Sequence, residues 1–468
     1  MARLVYERDS SSPDSNSPDS NSAVRTQSAC SPHRSSYPMQ LNDNWVRERL
    51  SHARPAAFSV YCIIAAFGTY FCMYAFRKPF TAATYEDTVW LGIAFKTVLV
   101  TSQVAGYMLS KFLGIKFVSE LPPRYRAVAI LILIGIAELA LLLFALTPAP
   151  WNFIWLFVNG LPLGVIFGLV IGYLEGRQLT ESLSAGLCAS FIMASGFVKS
   201  VGRSLIQDHG VDTYWMPFLT GLIFVVPLLF FVWMLSQIPP PSAEDEDLRS
   251  KRAPMRKADR AAFFQRHAFG LVGLLLIYVL LTIVRSIRDD FAVEIWQGLG
   301  VNDQPDVFAR SEFWVMLGVV VINGLTILIR NNRVAFLSSV GLLCVGFAIV
   351  LGSIYGQRAG WLSPMSFMVL LGFGMYIPYV AFHTTVFERM LAAFREIGTI
   401  GYLLYLADAL GYLAYVGVML FKNSASDNVN FLELMIWASV GISVFSTVVA
   451  GVLVVHFHRR LKESCVES

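Results

Sequence analysis

Apolar residues run along nearly the whole chain in stretches long enough to cross a bilayer, a length of about 20 residues for a helix. They predict twelve membrane helices, near 58–82, 88–110, 126–147, 151–174, 182–204, 214–236, 267–294, 309–329, 334–353, 363–386, 397–421 and 432–457. Two polar segments punctuate the pattern. Residues 1–45 are rich in Ser, Pro, Asp and Asn, with Ser-Pro-Asp-Ser-Asn repeated in tandem from Ser12 and from Ser17. Such a segment cannot bury a core, and disorder is expected there. It has no apolar stretch of the kind that marks a secretory signal. The second polar segment, 237–266, opens on Gln-Ile-Pro-Pro-Pro-Ser, continues through Glu-Asp-Glu-Asp to a basic cluster, and divides the spans six and six. The expected organisation is a tail (1–55), a six-helix bundle (56–236), a linker (237–266), a second bundle (267–458) and a short tail (459–468).

Composition agrees with this pattern. Of 468 residues, 56% are hydrophobic and 15% charged, which is membrane composition. The net charge of +4 matters less than where the charge lies. With the N-terminus inside, the inner loops collect Arg47, Arg49, Arg54, Lys111, Lys116, Arg124, Arg177 and the basic cluster of the linker, whereas the outer loops hold little beyond Arg310, Arg358 and Lys422. This asymmetry predicts both termini in the cytoplasm, and a plasma (inner) membrane location is expected. The six cysteines are scattered without a CxxC pair, so neither a disulfide framework nor a metal site is expected.

Against this apolar background two arginines stand out. Arg77 ends Tyr70-Phe-Cys-Met-Tyr-Ala-Phe-Arg77 in the first span, and Arg285 ends Tyr278-Val-Leu-Leu-Thr-Ile-Val-Arg285 in the seventh. In both, a Tyr lies seven residues earlier on the same helical face. An arginine in a membrane helix costs at least a few kcal/mol unless it faces protein or water. Two of them, each opening one half, suggest a cavity between the halves that holds an anion. Tyr70, Tyr74 and Arg77 share a face, and hydroxyls beside a planar guanidinium fork suit phosphate or carboxylate. The competing reading is interfacial, with Arg77 reaching the headgroups. Arg285 and Asp289 are spaced i, i+4, so the competing reading there is a mutual ion pair. Arg288 is expected to take Asp290 or Glu294, and Lys78 to be a structural or interfacial charge.

The twelve-span pattern with a long charged connector resembles the major facilitator superfamily, an all-α membrane fold of two pseudo-symmetric six-helix bundles. Gly68-Thr-Tyr-Phe-Cys-Met-Tyr-Ala-Phe-Arg-Lys-Pro-Phe80 resembles helix 1 of the organophosphate:phosphate antiporters. Arg285-Ser-Ile-Arg-Asp-Asp-Phe291 is similar to the helix 7 pattern of that family, and Gly372-Phe-Gly-Met-Tyr-Ile-Pro378, with His383 and Glu388 beyond, to its helix 10. The chain departs from the pattern in three places, one being an interval from Pro378 to His383 that is shorter than the Pro-to-His interval of the family's helix 10. Ser110 stands where the facilitator loop carries Asp, and no His stands near Ser195 in the fifth span. The resemblance implies an alternating-access carrier in which Arg77 and Arg285 hold an organophosphate or phosphate. Charge alone would equally allow a carboxylate.

Other charges within spans complete the expected site. Lys199, on one face with Arg203 after the small stretch Ala194-Ser-Gly-Phe-Val198, is a third positive group for the anion or a partner of an outer carboxylate such as Asp208. Glu138 and Asp408 are lone acids in mid-span, read either as proton relays or as structural carboxyls. Asp408, beside Tyr402, Tyr405 and Tyr412, is the better candidate for coupling or for pairing with a cavity cation. His383 is placed at a gate near the cytoplasmic mouth, and Asp289 beside it in the coupling group.

The sequence holds no Walker loop, dinucleotide fingerprint or nucleophile elbow, so an enzyme is not expected. No cofactor, metal or nucleic-acid partner is expected either. The expected partners are a small anionic solute and the lipid bilayer, with the chain a monomer. Three alternatives stay open: a proton-coupled organic-acid symporter, a nucleotide or nucleoside carrier, and a non-transporting sensor of a phosphorylated ligand.

Overall fold

The computed structural model describes residues 45–174, 180–240, 257–302, 304–394, 400–423 and 430–466. The tail up to residue 44, most of the linker and Arg177 lie outside the described residues. The described chain is almost entirely helical, and its spans are α1 (Pro55–Tyr74), α2 (Phe95–Glu120), α3 (Arg126–Leu146), α4 (Phe153–Leu163, resuming as Ile166–Ile171), α5 (Thr180–Gln207) and α6 (Met216–Ser236). A second set follows as α7 (Lys257–Asp290), α8 (Val307–Ile327), α9 (Asn332–Arg358), α10 (Pro364–Ala381, continuing through Phe387–Ala393), α11 (Ile400–Asn423) and α12 (Phe431–Val466). Among the described residues, 11 helices are long and apolar enough to cross a membrane. The remaining span, α2, is 26 residues long, or about 39 Å of rise. Its hydropathy is lowered by Lys96, Gln103 and Lys111, all buried against protein. The chain is thus a multi-pass membrane protein, and twelve spans put residues 45 and 466 on one face, called here the terminal face.

Several boundaries differ from those the sequence suggested. Helix α1 stops at Tyr74 because Pro79 has no N–H and its ring would crowd the carbonyl one turn back. A turn through Ala75–Lys78 and a short 3-10 helix, Pro79–Ala82, follow. Helix α2 begins at Phe95 rather than near 88, because a two-stranded hairpin, β1 (Val89–Trp90) and β2 (Ile93–Ala94), turns on Leu91 and Gly92 at φ 54° and 78°. Helix α7 already starts at Lys257, inside the expected linker, with a break at His267. Helix α12 runs on to Val466, and a short helix, Trp45–Ser51, precedes α1.

Large apolar side chains point outward as well as inward. Ile132, Ile136 and Leu139 on α3, Val226, Phe230 and Trp233 on α6, and Val448 and Val452 on α12 are all exposed. A helix apolar on every side suits lipid, not water. Inside each half the helices pack through small residues. A Cβ on Gly106 of α2 would lie 2.1 Å from the Phe157 carbonyl oxygen of α4, and one on Gly160 would lie 2.2 Å from that of Gln103. The halves meet through α2 against α11 and α5 against α8. A shift of six spans exchanges these two contacts, so the interface is pseudo-symmetric. The small stretch Ala194–Val198 serves the second contact, since a Cβ on Gly196 would lie 2.4 Å from the Phe308 carbonyl oxygen.

Candidate functional site

Charged side chains fill the interface between the halves in three tiers, and the spacing along each helix sets the tier. On α11, Asp408, Tyr412 and Tyr415 lie i, i+4, i+7 on one face, a rise of about 10 Å. On α7, Tyr278, Arg285 and Asp289 form a matching stripe, and α2 adds Gln103, Tyr107 and Lys111.

The middle tier holds the two arginines, both buried at 3% and 5% exposure, which excludes the headgroup placement of Arg77. The guanidinium of Arg77 lies 3.7 Å over the Tyr107 ring and 5.8 Å from that of Tyr412. The guanidinium of Arg285 lies 4.4 Å over the Tyr379 ring and donates to the Tyr412 hydroxyl at 3.5 Å. Tyr412 therefore stands between the two cations. The turn that carries Arg77 is held by amide side chains. Asn159 donates to the carbonyls of Phe76 and Ala137 at 2.9 Å each, and Gln103 donates to the carbonyl of Arg77 and to Asn159. The carbonyls freed by the stop at Pro79 thus keep partners.

On the side away from the termini, Lys78 bridges Asp289, at 2.7 Å, and Asp290. Lys199 and Ser195 of α5 bind the other oxygen of Asp289, and Tyr415 donates to Asp290 at 3.0 Å. Lys96 pairs with Glu294 at 2.7 Å. Toward the terminal face, Lys111 pairs with Asp408 at 2.9 Å. Tyr278 donates to the other oxygen of Asp408, and the His383 Nε2 lies 4.0 Å from it. Both clusters join one half to the other, so the arginine tier is closed from either side.

The competing reading of Arg285 falls, since Asp289 pairs with Lys78 and Lys199 and not with Arg285. Three expectations are corrected here. Arg288 takes neither Asp290 nor Glu294 but Glu312, at 2.7 Å. Lys199 is bound to Asp289 rather than being a free third cation or a partner of Asp208, which accepts from Ser204 instead. Lys111, counted as an inner-loop charge, is buried in α2. Tyr70 and Tyr74 line the arginine cavity, while the Tyr278 hydroxyl is committed to Asp408. His383 is buried beside that cavity, its Nδ1 2.9 Å from the Tyr379 carbonyl, in a stretch wound as a π-helix. Glu138 is not brought to the site, since it faces α6 with its carboxyl packed over Gly221.

The reading of the sequence missed Tyr107, Tyr379, Lys96 and Glu312. Tyr107 and Lys111 carry a signal, the i, i+4 spacing of an aromatic and a cation. The apolar run ends near 110, between the two.

A charge balance follows. Lys78, Lys199, Lys96, Lys111 and Arg288 meet Asp289, Asp290, Glu294, Asp408 and Glu312. Among the described residues, Arg77 and Arg285 have no carboxylate within ion-pair distance, and the Nε of each has no partner. The cavity beside Arg77 is lined by Tyr70, Tyr74, Tyr107, His383, Asp408 and Tyr412 among others, and keeps about 20 Å³ free, room for about one water.

These helices and their arrangement match solved transporters. A D-xylose–proton symporter aligns with TM-score 0.54 at 16% identity, over 84% of this chain and 97% of that one. The human organic anion transporter MFSD10 (TETRAN) aligns with TM-score 0.56 at 13% identity, over 85% and 100%. A bacterial homologue of the human drug peptide transporters PepT1 and PepT2 aligns with TM-score 0.55 at 12% identity, over 86% and 99%. The chain is a multi-pass membrane protein of the major facilitator fold. It belongs to DUF5690, a family of unknown function whose pattern matches residues 79–460. No curated protein matches the sequence.

Proposed function

We propose that the chain is a secondary transporter that carries a small anion by alternating access, with an organophosphate or inorganic phosphate as its leading substrate. One observation carries this reading: among the described residues, Arg77 and Arg285 are buried between the halves with no carboxylate partner, while the other interface cations named above are paired. Two unneutralised guanidiniums in low dielectric are held at a cost that an anion removes, and two planar forks suit the oxygens of a phosphoryl group. Tyr70 and Tyr74 add hydroxyls at the cavity beside Arg77. The choice of phosphate over carboxylate rests on the resemblance of Gly68–Phe80 to helix 1 of the organophosphate:phosphate antiporters. The ion pairs on either side of the site break in turn as the halves rock, and the solute is reached from one face at a time.

Flux into proteoliposomes, with a panel of labelled phosphates, sugar phosphates and carboxylates, tests the proposal. Saturable uptake of a phosphate or sugar phosphate that depends on both Arg77 and Arg285 is expected. Uptake of carboxylates alone overturns the substrate class. Transport of none of them by folded protein overturns the anion carrier.

A further inference from the structure

We propose that the organic part of the carried anion is a planar aromatic ring, received between four side chains that face one another across the two halves: Phe167 and Phe191 of the first half, Tyr379 and His383 of the second. The inference rests on the anion reading of Arg77 and Arg285 and deepens it. It narrows the solute to an anion that carries a ring, such as an aryl phosphate or a nucleoside phosphate. All four side chains line the cavity beside Arg77, and its described lining residues include no aliphatic side chain. Phe167 and Phe191 bring neither charge nor hydroxyl to that cavity, so an anion alone gives them nothing to do.

Helix spacing sets the rings in place. Tyr379 and His383 lie i, i+4 on α10 and share a face, with ring centroids 4.6 Å apart. Phe167 stands on the resumed part of α4 and Phe191 on α5. Across the seam, the Phe191 ring meets that of Tyr379 at 5.6 Å and 82°, and that of His383 at 5.9 Å. The Phe167 ring meets that of His383 at 6.1 Å and 86°. Two of these contacts are edge-to-face, the arrangement in which the positive edge of one ring meets the negative face of another. All three join one half to the other, so they are lost when the halves part at this level. The roughly 20 Å³ left free holds no ring, and the slot opens only with that parting. A ring on the solute then supplies the edges and faces that the side chains give up. A saturated group of the same size fills the slot but has no quadrupole to offer. The guanidinium of Arg285 lies 4.4 Å over the Tyr379 ring, so the slot and the anion site share a wall. Sugar hydroxyls find less here, because the fixed polar groups are committed: Lys111 to Asp408, His383 Nδ1 at the Tyr379 carbonyl, and Gln103 and Asn159 to backbone carbonyls.

The test compares probes that share an anionic group and differ only in the ring. Titration calorimetry on the purified full chain measures the affinities of phenyl phosphate and cyclohexyl phosphate, and of benzoate and cyclohexanecarboxylate. Cyclohexyl buries as much apolar surface as phenyl, so a merely greasy wall would bind it equally well or better. The slot should instead favour the phenyl member of whichever pair binds, by roughly three- to tenfold. Phe191→Leu keeps the wall apolar and removes its ring, and it should bring the two affinities together. Should Phe191→Leu fail to fold, Phe167→Leu is read in its place. Equal affinities in the wild type, or a preference for cyclohexyl, overturn the ring slot and leave the anion reading standing. A phenyl preference that survives loss of the ring at 191 or 167 also overturns the slot. Binding of none of the four by folded protein overturns the anion reading, and the slot with it.

Discussion

Arg285 and Asp289 stand one helical turn apart on α7 and do not pair. Asp289 is instead held by Lys78 and Lys199 across the interface, and Arg285 lies over the Tyr379 ring with a long contact to Tyr412. In an exposed helix such a spacing would form an ion pair worth a few tenths of a kcal/mol. Here the helix turns Asp289 toward two lysines of the other half and leaves the arginine against Tyr379 and Tyr412, which line the cavity.

Arg285→Lys should therefore weaken substrate binding despite keeping the charge. Lysine loses the planar fork, and the expected loss is about 1–3 kcal/mol, roughly tenfold or more in affinity. The apparent affinity of the solute that the flux panel identifies is the measurement. The double change Arg285→Ala with Asp289→Ala should not rescue binding. A rescue would restore the mutual-pair reading and remove Arg285 from the site.

Asp289 and Lys199 should differ sharply in their effect on stability. Asp289→Ala leaves Lys199 without a carboxylate and Lys78 with Asp290 alone, and breaking a buried pair from one side costs about 3–5 kcal/mol. Lys199→Met leaves Asp289 its pair with Lys78 and fills a similar volume, so it should cost clearly less. Thermal unfolding of both variants in one detergent compares them. Equal losses would show that Asp289 does not depend on two cations at once.

The fold was largely legible in the sequence because lipid demands long apolar runs, and each run survives as a helix. The arginine pair was legible for the same reason, since a charge in such a run is conspicuous. What escaped was pairing between spans. Asp289 has Arg285 as a local partner and Lys78 and Lys199 as distant ones, and sequence spacing reports only the local one. Lys111 was misplaced because a cation near the end of an apolar run looks like a loop residue. Only the packing of α2 against α11 shows its carboxylate. Glu138 looked like Asp408 in sequence, and the rotation of α3 sets it against α6 instead.

The close approach of α2 and α4 should make two glycines intolerant of any side chain. Gly106→Ala and Gly160→Ala place a methyl group 2.1 and 2.2 Å from backbone oxygens, which cannot swing aside, so the helices must part. Gly135→Ala on α3 is the control, with nothing within 4 Å of the added methyl group. It should be neutral or stabilising by up to about 1 kcal/mol, since Ala favours helix over Gly. Yield of folded protein and its melting temperature separate the two outcomes. Tolerance of Ala at position 106 would mean the two helices are farther apart than described.

Asn159→Leu should impair transport more than its effect on folding explains. The Asn159 amide donates to the carbonyls of Phe76 and Ala137 and accepts from Gln103, so it fixes the turn that aims Arg77. Leucine matches its size and removes all three contacts. The Phe76 carbonyl, freed where α1 stops before Pro79, then lacks its side-chain donor, at a cost of about 1–3 kcal/mol. The turn has a cheaper way out, which is to rotate and find another donor, and Arg77 moves with it. Solute affinity should then fall as it does in Arg77→Ala, while the melting temperature falls less than in Asp289→Ala. Asn159→Asp tests the direction of the bond, because a carboxylate cannot donate to a carbonyl, and it should lose affinity as well. Wild-type affinity in both variants would show that Arg77 is aimed by something other than this amide.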